Sequence, residues 1–123
     1  MTRARQIKGA LAFRAGWAAE ESVARLYEDA GLPIVARRWR GKGGEMDLIA
    51  RNGAGFVFIE VKASQSHDAA AYHLSPRQIT RLFAAASEFV AQMPLGSMTE
   101  MRFDVALVDA IGRVEILENA LAG

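Results

Sequence analysis

The chain reads as an α/β protein, a mixed β-sheet flanked by helices in an α/β/α sandwich. Three observations predict this. Apolar periodicity runs in the order helix, three strands, helix, one or two strands. The two central strands are apolar on both faces away from their charges, as expected of strands covered on both sides. At 51% hydrophobic residues and 123 residues in length, the chain suits one globular domain with a single modest core. The expected organisation is a basic segment over 1–15, frayed or partly helical, followed by a single domain over 16–119.

The elements follow in order. Residues 16–30 form an amphipathic helix: Trp17, Val23, Ala24, Tyr27 and Ala30 recur at helical spacing, and Gly31 stands where a C-terminal glycine is expected. Glu20 falls within that apolar stripe, whereas Glu21 and Glu28 point elsewhere. A carboxylate on a core-facing side either reaches a site or turns out to the edge of the stripe. Pro33 opens a short strand, Ile34-Val35-Ala36. It leads into Arg37-Arg38-Trp39-Arg40-Gly41-Lys42-Gly43-Gly44, read as a cationic, glycine-rich loop. Its cations suit phosphate, its tryptophan suits stacking, and its glycines allow close backbone approach. A solvated loop would have the same composition.

Residues 44–50 and 56–62 form two strands around Asn52-Gly53-Ala54-Gly55, read as a four-residue hairpin loop. The stretch 63–74 is a polar loop, and its His67 and His73 are assigned no catalytic role. Ser75-Pro76-Arg77-Gln78 has the pattern of a capped helix start. An apolar stripe then runs from Ile79 to about Met93, where Pro94 and Gly96 end the helix. Gln78 and Arg81 lie beside the stripe as candidate substrate contacts, with the capping box an equal account of Gln78. Residues 102–108 form a strand with Phe103, Val105 and Leu107 on one face, 109–112 turn, and 113–117 form a final strand. Asp104 is expected to brace a neighbour or the loop cations, ahead of a metal role.

Asp47, Glu60 and Lys62 carry the functional signal, because they interrupt apolar runs where valine would serve a fold better. Strand alternation puts Phe56, Phe58, Glu60 and Lys62 on one face, with Val57, Ile59 and Val61 on the other. It likewise groups Glu45, Asp47 and Ile49 against Met46, Leu48 and Ala50. A four-residue loop makes Asp47 face Glu60 and Glu45 face Lys62. Directly opposed carboxylates destabilise a sheet unless a positive charge lies between them. A divalent cation such as Mg²⁺ or Mn²⁺ would supply it. An ion-pair network of Lys62 with Glu45, Glu60 or Asp47 would also do so, and spacing alone leaves both readings open.

Composition removes several classes. The chain has no cysteine, so disulfides, zinc–thiolate sites and cysteine nucleophiles are excluded. The absence of cysteine also fits a cytoplasmic protein. No apolar run reaches bilayer-spanning length, so no membrane partner is expected, and the first apolar stretch, ended by Arg14, is too short for a signal peptide. Residues 1–44 carry nine Lys/Arg against four Asp/Glu, whereas 45–123 carry six against ten. That asymmetry suits an anionic polymer bound beside an acidic, metal-binding centre, and equally an ordinary solvated surface.

Asp47 followed by Glu60-Val61-Lys62 resembles the PD-(D/E)xK nuclease signature, with Met46 in place of its proline. Gly16-x-x-x-Glu20, Gly44-Glu45-x-Asp47-Leu48-Ile49-Ala50, Phe58-x-Glu60-Val61-Lys62 and Arg102-Phe103-Asp104-Val105 resemble more closely the small bacterial YraN-type family. That family is similar to archaeal Holliday-junction resolvases. The likeness covers about residues 16 to 108; the bare D…ExK pattern is weak, but four segments in order are specific. The resemblance implies a restriction-endonuclease-like fold and metal-dependent hydrolysis of phosphodiesters, with nucleic acid, DNA above all, as partner. By that likeness Asp47, Glu60 and the carbonyl of Val61 would ligate Mg²⁺ or Mn²⁺. Lys62 would orient the attacking water, and Glu20 would hold a second metal or a metal-bound water. Arg37, Arg38, Arg40, Lys42, Gln78 and Arg81 are the candidate nucleic-acid contacts. The family often continues Glu-Val-Lys-x-Arg, whereas Ala63-Ser64 follows here, so a cation is missing that Arg37, Arg38 or Arg81 would have to replace. Resolvases of this fold act as dimers, and the sequence is compatible with a homodimer and a monomer alike. A non-catalytic nucleic-acid-binding accessory protein in recombination or repair is the alternative function; an ion-paired structural domain is the third.

Overall fold

The structure, a computed structural model, describes residues 17–63 and 74–121. The expectations for the basic segment 1–15, for Gly16 and Ser64, and for His67 and His73 lie outside the described residues. Helix α1 is described over 17–29. It is followed by β1 (Ile34–Arg40), β2 (Glu45–Asn52), β3 (Gly55–Ala63), α2 (Pro76–Val90), a 3₁₀ turn (Gly96–Met98), β4 (Met101–Val108) and β5 (Val114–Leu117). The strands form one sheet in chain order. Neighbours pair antiparallel except β3 and β4, which run parallel because the α2 crossover joins them.

Each face of the sheet is covered by one helix, which confirms the α/β architecture. On one face Ala19, Val23, Ala24 and Tyr27 of α1 pack on Leu48, Ala50, Val57, Ile59, Ala106 and Val108. On the other, Leu82, Ala85, Ala86 and Val90 of α2 pack on Met46, Ile49, Phe56, Phe58 and Phe103. Removing this apolar surface from water is the main favourable term in the fold. Two residues of the expected α1 stripe are outside the core: Trp17 and Ala30 are exposed, and Ala19 is buried instead. Gly31 ends α1 as expected, with a φ of 86° that side chains disfavour. Ser75 and Gln78 form the expected capping box, Ser75 Oγ accepting from Gln78 N–H at 3.1 Å and Gln78 Oε1 from Ser75 N–H at 2.9 Å.

Three local expectations are corrected. The segment Arg37 to Arg40 is not loop but strand, because it pairs with β2 from Arg37↔Leu48 to Arg40↔Glu45. The hairpin turn is shorter than expected: Asn52 pairs with Gly55, so only Gly53 and Ala54 form the tip. The register beyond it, Arg51↔Phe56 and Ile49↔Phe58, is the expected one. Finally, alternation on β2 breaks at Asp47. Met46 packs with Ile49 against α2, while Leu48 and Ala50 pack against α1. The physical reason lies on the neighbouring strand, where Arg38 adopts a left-handed φ of 47°. Arg38 and Asp47 are the two positions skipped between the pairs Arg37↔Leu48 and Trp39↔Met46. Both strands switch faces there, so Trp39 and Met46 join the α2 side.

Candidate active site

Strands β2 and β3 and helix α2 enclose a cleft of about 340 Å³ lined by Glu45, Asp47, Glu60, Gln78, Arg81 and Leu82. Its floor exists because the β2–β3 ladder ends at Leu48↔Ile59. One residue further, Asp47 replaces a ladder bond with its side chain, Oδ2 accepting the Val61 N–H at 2.8 Å. Its Oδ1 has no donor among the described residues. Burial, and next the charge of Glu60, push the Asp47 carboxyl up to about 6; the Val61 N–H and Lys62 act against that rise, and Glu20 adds to it. Glu60 is mostly buried and pairs with Lys62, Nζ to Oε1, at 3.1 Å. The lysine thus ion-pairs with Glu60 rather than with Asp47 or Glu45, and Glu45 instead bonds Arg40 at 3.0 Å.

The roof comes from α2. Gln78 and Arg81 are exposed on its first turns and line the cleft. Gln78 Oε1 is taken by the capping box, the account of Gln78 that the helix start shows. Helix and strand approach closely because Gly44 has no side chain: a Cβ there would lie 2.5 Å from the Arg81 carbonyl oxygen. The neighbouring glycines also serve the helix rather than a ligand. Glu88 accepts the N–H groups of Lys42 and Gly43, each at 3.0 Å, which holds its carboxyl below the usual range. This carboxylate thus already satisfies both backbone N–H groups. Sequence reasoning missed Glu88, although its spacing from Arg81, two helical turns on, puts both on one side of α2.

The cationic candidates divide. Arg37 pairs with Glu21 and Glu28 of α1, Arg38 with Glu20, and Arg40 with Glu45. Lys42 and Arg81 are exposed. Glu20 turns to Arg38, whose Nε lies 2.9 Å from Glu20 Oε2, while the guanidinium sits 4.9 Å from the Trp17 ring centre. Among the described residues no three acidic or histidine side chains converge as a ready-made metal cage. Asp104 has the bracing role expected of it, accepting from Tyr27, Arg102 and the Asn119 N–H. A larger hollow of about 670 Å³ lies between α1 and the β4–β5 turn, lined by Ser22, Arg25, Asp29 and Gly112 among others. It holds no opposed carboxylates, so the smaller cleft is the candidate site. No helix among the described residues is long and apolar enough to cross a membrane.

Comparison with known proteins agrees with the sequence motifs. The family model described as uncharacterised protein family UPF0102 matches residues 19–108, which include every residue of the cleft. A UPF0102 protein of Cereibacter sphaeroides is 61% identical over 94% of this chain and 99% of its own length. One from Roseobacter denitrificans is 54% identical over 98% of this chain and 94% of its own. Another from Ruegeria pomeroyi is 59% identical over 86% of each. By its motifs, its family match and these relatives, the chain belongs to the UPF0102 family, the YraN-like group.

Proposed function

We propose that the cleft is the active centre of a metal-dependent endonuclease that hydrolyses phosphodiester bonds of DNA, branched or structured DNA included. The observation that carries this reading is that Asp47 and Glu60 line one cleft, where burial and then the charge of Glu60 raise the Asp47 carboxyl to about 6. A fold gains nothing from such a pair; a site that takes a cation does. The donors fit a hard divalent ion: Asp47 Oδ1, the Glu60 carboxylate and the Val61 carbonyl are oxygens, the set that suits Mg²⁺ or Mn²⁺ with water completing the shell. Such an ion, when bound, polarises the phosphoryl group and lowers the pKa of a bound water.

The chain's own groups divide the remaining work. The Val61 N–H fixes the Asp47 carboxylate, leaving its second oxygen toward the cleft. Lys62, held beside the centre by Glu60, orients the attacking water and stabilises charge that develops on the phosphoryl oxygens. Arg81, Lys42 and the Gln78 amide line the path of the strand and hold its phosphates. A homodimer would place two such centres on the two strands of a branched substrate.

A non-catalytic accessory protein that binds nucleic acid in recombination or repair is the second reading. The absence of a third converging acid among the described residues favours it. A cleavage assay separates the two, with Mg²⁺ and with Mn²⁺ on four-way junction, flap, single-stranded and duplex DNA and on single-stranded RNA. Cutting by the wild type that is lost in Asp47→Ala is expected; loss of Lys62 costs on the order of 10²–10³-fold. No cutting by either protein, with equal salt-sensitive DNA binding, would establish the accessory reading instead.

A further inference from the structure

Glu20 and Arg38 form a second centre beside the first, and its geometry points to control. Glu20 projects from α1, and its side chain is 16% exposed, whereas that of Arg38 is 45% exposed. A polyanion arriving from solvent therefore meets the guanidinium before it meets the carboxylate. Arg38 makes this contact from a left-handed backbone, φ 47°, a conformation that costs any residue with a Cβ. The result is that consecutive residues Arg37 and Arg38 both turn to α1, onto Glu21 and Glu20. Arg38 is also the β1 residue that flanks Asp47, in the gap between the pairs Arg37↔Leu48 and Trp39↔Met46. Glu20 is near enough for its charge to be felt at Asp47, yet it does not join Asp47 and Glu60.

We propose that Arg38 is a latch on Glu20: its guanidinium holds the carboxylate back from Asp47 and Glu60, and a backbone phosphate of bound nucleic acid, by drawing the guanidinium away, frees Glu20 to join them as a third oxygen donor. The latch rests on the nuclease reading of the cleft. It accounts for the two-carboxylate set found among the described residues and brings in Glu20 only with substrate present. Arg38 acts through Glu20 and is a positioning residue. The Trp17 ring beneath the guanidinium steadies the latched state. Exchange of one oxyanion partner for another costs the guanidinium little, because phosphate and carboxylate suit the same donor fork.

Mn²⁺ binding to the full chain, followed by titration calorimetry, tests this without reference to activity. The proteins are wild type, Arg38→Asn, Glu20→Gln, the Arg38→Asn/Glu20→Gln double variant and Asp47→Asn. Asparagine tolerates the left-handed backbone, and Arg38→Gly is the second variant should Arg38→Asn fold poorly. Arg38→Asn is expected to bind Mn²⁺ tighter than wild type, on the order of 10-fold. The gain disappears in the double variant. Short duplex DNA raises Mn²⁺ affinity in the wild type and adds nothing in Arg38→Asn. Unchanged or weaker binding by both Arg38 variants, or a gain that survives Glu20→Gln, overturns the latch while leaving the two-carboxylate centre intact. Wild type and Asp47→Asn alike in Mn²⁺ binding would remove that centre itself, and the latch with it.

Discussion

At the scale of single residues, Asp47 stands against the fold that contains it. Its folded carboxyl titrates near 6, above its ordinary 3.8, so between those values the folded chain holds more protons than the unfolded one. The Asp47 contribution to stability is therefore greatest below the ordinary value and falls as pH rises toward and through 6. Above that, ionised Asp47 destabilises the free protein by on the order of 2–3 kcal/mol. Asp47→Asn keeps an oxygen for the Val61 N–H and loses the charge. Its melting temperature is expected to exceed that of wild type at pH 8, with the difference closing as pH falls to 4. A difference that stays constant with pH would mean that charge is not what the site costs. Asp47, Glu60 and Lys62 were legible in the sequence because ionised groups inside apolar strands conflict with burial, and that conflict needs no structure to see. Arg38 was legible only as a cation. Nothing in Arg37-Arg38-Trp39-Arg40 announces a left-handed backbone, so neither its pairing with Glu20 nor the switch of faces at Asp47 could be read.

At the scale of elements, the sequence declared the parts whose signals are local. The capping box of α2, the glycine that ends α1 and the alternation along β3 each depend on neighbours a few residues away. The glycine-rich stretch before β2 misled because glycine marks close approach without saying to what. Here the partner is α2: Gly44 lies against the Arg81 carbonyl, and Glu88 takes the Lys42 and Gly43 N–H groups. The strand and the helix that carry Asp47 and Arg81 are spaced by that contact. Gly44→Ala would put a methyl group 2.5 Å from backbone oxygen, which neither element can relieve by a side-chain rotation. It is expected to destabilise by about 1–3 kcal/mol, as overpacking does, and to move Arg81 and Gln78 away from the carboxylates. A urea titration reads the first effect, and weaker DNA binding by the folded variant reads the second. A urea midpoint equal to that of wild type would show that α2 yields more readily than its packing on Met46 and Phe58 implies.

At the scale of the whole molecule, the layered order was legible because helix and strand periods differ. A helix between two strands also implies the parallel crossover that joins β3 to β4. What ties the ends together was not. The Asp104 side chain is fully buried on β4, and its partners come from far apart in the chain. The Tyr27 hydroxyl of α1, 77 residues away, donates to Oδ2 at 2.6 Å; Arg102 bonds both oxygens at 2.9 Å; and the Asn119 N–H beyond β5 donates to Oδ1 at 3.0 Å. Burial, with the bond to Asp104 next, drives the Tyr27 hydroxyl far above its ordinary pKa, so it stays a donor throughout the working range. One carboxylate thus fastens the helix that carries Glu20 to the strand parallel to β3 and to the last described turn. Tyr27→Phe removes one donor and leaves Asp104 two other partners, and is expected to cost about 1–2 kcal/mol. Asp104→Leu instead strands a guanidinium, a hydroxyl and a backbone N–H around an apolar group, and the loss is expected to reach about 3–5 kcal/mol. Urea denaturation of both variants gives the comparison, and an Asp104→Leu protein no less stable than Tyr27→Phe would refute the network as the clasp between the two ends. If the clasp holds, Tyr27→Phe also loosens α1 at the end away from Trp17, while Asp47 and Glu60, fixed on β2 and β3, keep their separation. The Asp47 charge penalty should then survive in Tyr27→Phe: adding Asp47→Asn to it is expected to raise stability at pH 8 as much as it does in the wild type, because distant sites act additively.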